Sequence, residues 1–229
     1  MGILKEHKNA YASQAQREVL VRLLGHPMIE KRFFLTGGTA LSVFYLSHRL
    51  SDDLDLFTLL PVDLSEIDFW IKGEWRGASV KIKEGPEFLS VLVSDVRVDF
   101  VVDPLSINEE RESFLFESGK SLYVDTLRNI TSNKFCAVVS RIEPKDFVDL
   151  YTIVKTFPNI EVEDIYRQSR LKDAIFDDPP TAAYQLEMGC AFIRENPSLI
   201  PKMLKQIDWK DFFDFYSNVA KIVYGLMKA

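Results

Sequence analysis

Cysteine is scarce in this chain of 229 residues: there are two, Cys136 and Cys190, 54 positions apart and with no Cys-x-x-Cys pair. That excludes a disulfide framework and a zinc ribbon, and it fits two buried free thiols in a reducing cytoplasm. Long apolar runs are lacking as well. None approaches the ~20 residues that span a bilayer, and the start, Met1-Gly2-Ile3-Leu4-Lys5-Glu6-His7-Lys8, has no apolar leader core. Met1-Gly2 is shaped like a myristoylation start, but position 6 is Glu rather than Ser or Thr. Positive charge is not in excess either. The formal net charge is −6, which argues against a surface coated for nucleic acid and leaves only a local basic patch open. No internal repeat or low-complexity tract is present.

What the chain does have is apolar surface. Hydrophobic residues make up 47% and aromatics 12%, enough for a sizeable core and too much for a disordered or collagenous protein. The charge is uneven. Residues 1–125 hold 14 Lys and Arg against 20 Asp and Glu, whereas residues 126–229 hold 14 of each. The whole excess of acid therefore lies in the first half. An acidic surface serves solubility, or some of the carboxylates cluster around a cation.

The pattern of elements also changes near residue 125. Residues 11–27 read as an amphipathic helix through Val19, Leu20, Val21, Leu23 and Leu24. Phe33-Phe34-Leu35 reads as a short buried strand stopped by Thr36-Gly37-Gly38. A helix over 39–46, a strand over 53–58 and a helix over 67–72 follow. Then come strands over 79–83, 88–93 and 96–102, with Asp95 as the turn between the last two. Beyond 125, residues 130–139, 145–155, 160–169, 184–194 and 211–227 suit helices. Pro144 sits at a helix start with Asp146 in its first turn. Asp178-Pro179-Pro180 and Asn196-Pro197 read as loops. The expected fold class is α+β: an α/β module with a mixed sheet over 1–125, then a helical bundle over 126–229 that meets it across a cleft.

The carboxylates are the most informative group. In Asp53-Leu54-Asp55-Leu56-Phe57, strand alternation puts Asp53 and Asp55 on one face and Leu54 and Leu56 in the core. In Val96-Arg97-Val98-Asp99-Phe100-Val101-Val102, Arg97, Asp99 and Val101 share a face. If the two strands are neighbours, Asp99 joins the pair. Three crowded carboxylates repel one another unless a cation lies between them, and Mg²⁺ is held by such oxygens together with substrate phosphates. A lone Asp-x-Asp also suits an ordinary solvated strand face. Thr36-Gly37-Gly38-Thr39 joins a strand to a helix. Its glycines allow close backbone approach, its amides and helix dipole favour an anion, and the Thr39 hydroxyl could reach a phosphate oxygen. It also suits a plain tight connection. Thirteen residues separate Thr39 from Asp53, room for one helix and a return to the next strand. Lys134 and Arg141 are seven apart on one helical face, and Asp146 and Asp149 are three apart on another.

Leu35-Thr36-Gly37-Gly38-Thr39-Ala40-Leu41 followed by His48-Arg49-Leu50-Ser51-Asp52-Asp53-Leu54-Asp55-Leu56-Phe57 resembles the first motif of the AbiEii-type toxin nucleotidyltransferases. These belong to the DNA polymerase β-like nucleotidyltransferase superfamily. Asp99 matches that pattern's third carboxylate. Lys134, Arg141 and Lys145-Asp146-Phe147-Val148-Asp149-Leu150 match its later Lys, Arg and Lys-Asp-x-x-Asp-Leu. The resemblance covers roughly residues 33–155.

It implies that Asp53, Asp55 and Asp99 hold Mg²⁺ and that Asp99 helps activate the attacking hydroxyl. It also implies that Gly37, Gly38 and Thr39 hold the triphosphate, that Lys134 and Arg141 contact the nucleotide, and that Asp146 is a further catalytic acid. Arg49, Ser51 and His48 would support the metal loop. The implied activity moves an NMP from an NTP onto an RNA (such as a tRNA 3′ end) or protein hydroxyl. The implied setting is a type IV toxin–antitoxin pair with a cognate antitoxin; the scarce cysteines and the lack of long apolar runs lead us to expect it in the cytoplasm and away from membranes. The alternative is a non-catalytic NTP-binding or partner-binding module on the same scaffold.

Overall fold

A computed structural model describes residues 4–228; the Met1-Gly2 start read above lies outside the described residues, as does Ala229. The chain divides into two compact units, Met1–Leu127 and Arg128–Ala229. Among the described residues, no helix is long and apolar enough to cross a membrane.

The first unit is built on a sheet in which, among the described residues, seven strands take part: β1 Phe34–Thr36, β2 Leu54–Thr58, β3 Ser79–Glu84, β4 Phe88–Val93, β5 Val96–Val102, β6 Ser113–Leu115 and β7 Ser121–Val124. Their order is β3-β4-β5-β2-β1-β7-β6. β2 runs parallel to β5, and β1 parallel to β7; the other neighbours are antiparallel. The sheet is therefore mixed, as expected.

Alternation explains β2. Leu54 and Leu56 are fully buried while Asp55 and Phe57 are only partly so, and each buried leucine stabilises the sheet by roughly 1.5–3 kcal/mol. β4 and β5 are joined by a two-residue turn, Ser94 and Asp95, with φ of 49° and 62°. Left-handed conformation at both positions matches the twist of a tight hairpin, which Asp tolerates better than most residues.

Several boundaries differ from the sequence expectation. The helix expected over 11–27 is two: α1 Gln14–Leu23, capped by the Ser13 hydroxyl on the Gln16 amide, and α2 Pro27–Arg32. Gly25 and Pro27 account for the break, since Pro27 starts a new first turn where its missing N–H costs nothing. The helix expected over 39–46 begins at Gly37, as α3 Gly37–Ala40, and continues as a wide π-type turn over Leu41–Leu46. Ser47, at φ 47°, closes it by donating its amide to the Ser42 carbonyl at 2.8 Å. α4 Leu64–Glu74 follows, capped by Asp63. β6 and β7 had no counterpart in the expectation.

The second unit is helical: α5 Leu127–Ser140, α6 Pro144–Thr156, α7 Val162–Arg170, α8 Pro179–Glu195 and α9 Trp209–Gly225. Pro179 and Pro180, read as a loop, form the first turn of α8, the one place in a helix that lacks a use for their missing amide protons. Its core is aromatic: Phe135, Phe147, Phe176, Phe212 and Tyr216 are all buried. The Tyr216 hydroxyl donates to the Phe147 carbonyl at 2.6 Å, so burial of this polar tip leaves no donor unsatisfied.

Candidate active site

β1 and β2 are antiparallel, so the end of one lies beside the start of the other, with Thr36 opposite Asp55. The glycine turn and the Asp-x-Asp therefore occupy the same end of the sheet. Gly37 has φ +68°, and a Cβ placed on it would fall 2.2 Å from Asp55 Oδ2. Backbone strain and a carboxylate clash both select glycine here. At Gly38 a Cβ would fall 2.4 Å from Arg49 Nη2 and 2.7 Å from Ser51 Oγ. The turn thus packs its bare α-carbons directly on the acid and on its supporting loop.

That loop is held from within. The Thr39 hydroxyl donates to the Asp53 carbonyl. Gln16, on α1 and almost wholly buried, donates from Nε2 to the Ser51 carbonyl at 2.8 Å and reaches the Asp53 carbonyl at 3.3 Å. Arg49 donates to the Leu50 carbonyl at 2.8 Å, and Arg49, Ser51 and His48 are buried. Asp53 and Asp55 remain partly exposed beside the turn, and Asp52 is exposed. Thr39 was expected to present its hydroxyl to a phosphate; in the structure that hydroxyl is fully buried and committed to the loop.

The parallel pairing of β2 with β5 sets Asp55 opposite Asp99. Residues in register across neighbouring strands share a face, so the two carboxylates belong to one surface. Asp99 is already engaged. Ser90 Oγ donates to its Oδ1 at 2.5 Å, and Arg97 donates from Nε to Oδ1 at 3.0 Å and pairs from Nη2 with Oδ2 at 2.9 Å. The hydrogen bond that Arg97 donates to Asp99, joined by the charges of Asp99, Asp53 and Asp55, raises the already high pKa of the guanidinium. One arginine thus feels all three acids. Among the described residues no group of three or more His, Cys, Asp or Glu stands together as a metal cluster.

The residues expected in the second unit form a separate constellation. Asp146 and Asp149, one turn apart on α6, are fully buried, and Lys134 of α5 pairs with both at 2.7 Å. Arg141 Nε pairs with the other Asp146 oxygen at 3.0 Å, while its side chain stays half exposed. Lys134 and Arg141 thus converge on Asp146, one from the interior and one from the surface.

A family model described as nucleotidyl transferase AbiEii toxin of a type IV toxin–antitoxin system matches residues 18–220. The chain belongs to the AbiEii nucleotidyltransferase toxin family. The matched stretch of this AbiEii chain contains both constellations. No curated protein matches. Solved structures share the fold. A putative nucleotidyltransferase from H. pylori is 16% identical over 94% of this chain and 97% of its own, with a TM-score of 0.56. JHP933 from Helicobacter pylori is 15% identical, covering 94% of each chain, with a TM-score of 0.58. MenT4, a nucleotidyltransferase toxin from Mycobacterium tuberculosis H37Rv, is 16% identical over 90% of this chain and 82% of its own, with a TM-score of 0.59.

Four residues around the AbiEii motif escaped the sequence reading as site residues. Gln16 lies in an ordinary amphipathic helix and carries no local signal. Ser90 sits opposite Asp99 on β4, a pairing known only once the register is. Asp125, fully buried at the end of β7, accepts the Thr36 hydroxyl at 2.6 Å and Arg111 Nε at 3.0 Å. Arg97 did carry a signal: alternation places it on the Asp99 face.

Proposed function

We propose that this AbiEii-family chain transfers a nucleoside monophosphate from an NTP to a hydroxyl of RNA or protein, acting as the toxin of a type IV pair. The observation that carries the reading is the packing of Gly37 on Asp55 with Asp99 in register beside it. That arrangement sets an anion-accepting turn next to an oxygen-donor face. Thr36 precedes the turn but turns its hydroxyl to Asp125, so it does not cap the amides that follow. Those amides suit a phosphate.

Carboxylate oxygens are the donors a hard divalent cation takes: Asp53 and Asp55 would hold it, joined by Asp99 once Arg97 releases the oxygens it now binds. When bound, such an ion supplies charge neutralisation at the phosphate chain and at the leaving pyrophosphate. The reaction forms a bond from the acceptor oxygen to the α-phosphorus and breaks the α–β phosphoanhydride, releasing pyrophosphate. The acceptor hydroxyl gives its proton to a carboxylate, for which Asp99 is the proposed atom set. Within the second unit, Asp146 and Lys134 act on Arg141 as positioning residues, through the Lys134–Asp146 and Arg141–Asp146 ion pairs.

Each labelled NTP would be incubated with the protein, Mg²⁺ and total RNA or cell lysate. The expected result is a labelled RNA or protein band that disappears in the Asp53→Ala/Asp55→Ala variant while its thermal unfolding is unchanged. Full transfer by that variant overturns the reading. The engagement of Asp99 by Arg97 and Ser90 favours a second reading, a non-catalytic NTP-binding module. Calorimetry showing tight NTP binding without pyrophosphate release would select it.

A further inference from the structure

The guanidinium of Arg97 stands on the carboxylate face itself. It binds both oxygens of Asp99 and lies within the field of Asp53 and Asp55. Its side chain is 46% exposed, against 12% for that of Asp99. The cation therefore approaches from the solvent side and can leave by side-chain rotation, with β5 undisturbed. Asp99 keeps Ser90 as a neutral partner when it does. A guanidinium fork that fits a carboxylate also fits a phosphate.

We propose that Arg97 is a substrate-binding residue of this site, held on Asp99 until a polyphosphate bound to a divalent cation arrives. It then yields the Asp99 oxygens to the cation and takes a phosphate oxygen. The proposal rests on the nucleotidyltransferase reading above. It has a double signature. Arg97 opposes a bare divalent cation, because both seek the same oxygens and their charges repel. It assists a polyphosphate complex, because the phosphate offers it a replacement anion.

The test uses the full chain and two ligands that carry no base: Mn²⁺ alone, and inorganic tripolyphosphate with Mg²⁺. Affinities are read by calorimetry and by the Mn²⁺ electron paramagnetic resonance signal. Arg97→Gln is expected to bind Mn²⁺ about tenfold more tightly than the parent, the scale of removing one unit charge near a dication in a largely hydrated site. It is expected to bind Mg²⁺–tripolyphosphate about tenfold more weakly, the scale of one charge-assisted hydrogen bond. Arg97→Lys keeps the charge and loses the fork, so its Mn²⁺ affinity should stay within about threefold of the parent.

A residue that merely orients Asp99 would shift Mn²⁺ binding the other way. Unchanged or weaker Mn²⁺ binding by Arg97→Gln, or unchanged tripolyphosphate binding, overturns the proposal. If parent and Asp55→Asn bind Mn²⁺ alike, or the parent binds neither ligand, the nucleotidyltransferase reading falls with it. If the parent binds both and Arg97→Gln is indistinguishable from it, the role of Arg97 alone falls.

Discussion

Thr36 donates its hydroxyl proton to Asp125 Oδ2 at 2.6 Å, which ties the residue before the glycine turn to one 89 positions later. The other Asp125 oxygen accepts from Arg111 Nε at 3.0 Å and from the Thr126 amide at 3.0 Å. The Arg111 guanidinium lies 3.7 Å from the Phe34 ring centroid, at the start of the same strand. A buried carboxylate thus braces β1 at both ends. Removing it takes the carboxylate partner from an arginine whose side chain is nearly buried. Asp125→Ala should lower the unfolding free energy of the first unit by about 3–5 kcal/mol, whereas Thr36→Val should cost only about 1 kcal/mol. Urea denaturation of the two variants checks the ratio.

Gly37 offers a sharper test of the turn. Alanine there costs about 1–2 kcal/mol in backbone strain and drives its Cβ into the Asp55 carboxylate. Labelled-NMP transfer should fall by well over tenfold, on the order of the loss expected when an aligned group moves by an ångström. Gly38→Ala should also reduce transfer, through Arg49 and Ser51. Transfer in Gly37→Ala equal to the parent would disconnect the turn from the chemistry.

Lys134 is the shared counterion of two fully buried aspartates. Lys134→Met should destabilise the second unit by about 3–5 kcal/mol, because Asp146 and Asp149 lose a shared counterion. Adding Asp149→Asn should recover part of that loss. A thermal-denaturation double-mutant cycle reads the coupling, and additive effects would show that the pair is not a unit.

Burial pushes the Cys136 thiol up to about 11 and the Cys190 thiol up to about 12. Burial also raises the phenols of Tyr11, Tyr45 and Tyr216. All these groups hold their protons more tightly when folded. Their contribution to stability is fully present below the unfolded thiol value of about 8.5. It is lost as pH rises through the folded values. The urea midpoint should therefore drop between pH 8 and pH 10.5. At pH 8 both thiols should react with iodoacetamide at least tenfold more slowly in the folded than in the unfolded chain.

The strands that carry the acids were legible because their side chains alternate. Leu54 and Leu56 go inward, Asp55 goes outward, and Asp95 marks the turn between β4 and β5. The helices after residue 127 were legible for the same reason at a longer period. β6 and β7 were not, because three- and four-residue strands such as Ser113–Leu115 and Ser121–Val124 hold too few alternations to register.

Local periodicity and spacing were enough for the longer elements, the order of the motif residues, and which side chains share a face. Tertiary structure alone decided how buried and charged groups are satisfied. Gln16 reaches carbonyls 35 and 37 positions away. Asp125 finds Thr36 across a parallel strand pair, and Lys134 is enclosed between two acids rather than open to a ligand. Alternation could place Arg97 beside Asp99, but only the gathering of acids from two strands sets its guanidinium on the carboxylate face. A hydrogen bond or ion pair depends on where distant segments meet, and no local pattern encodes that.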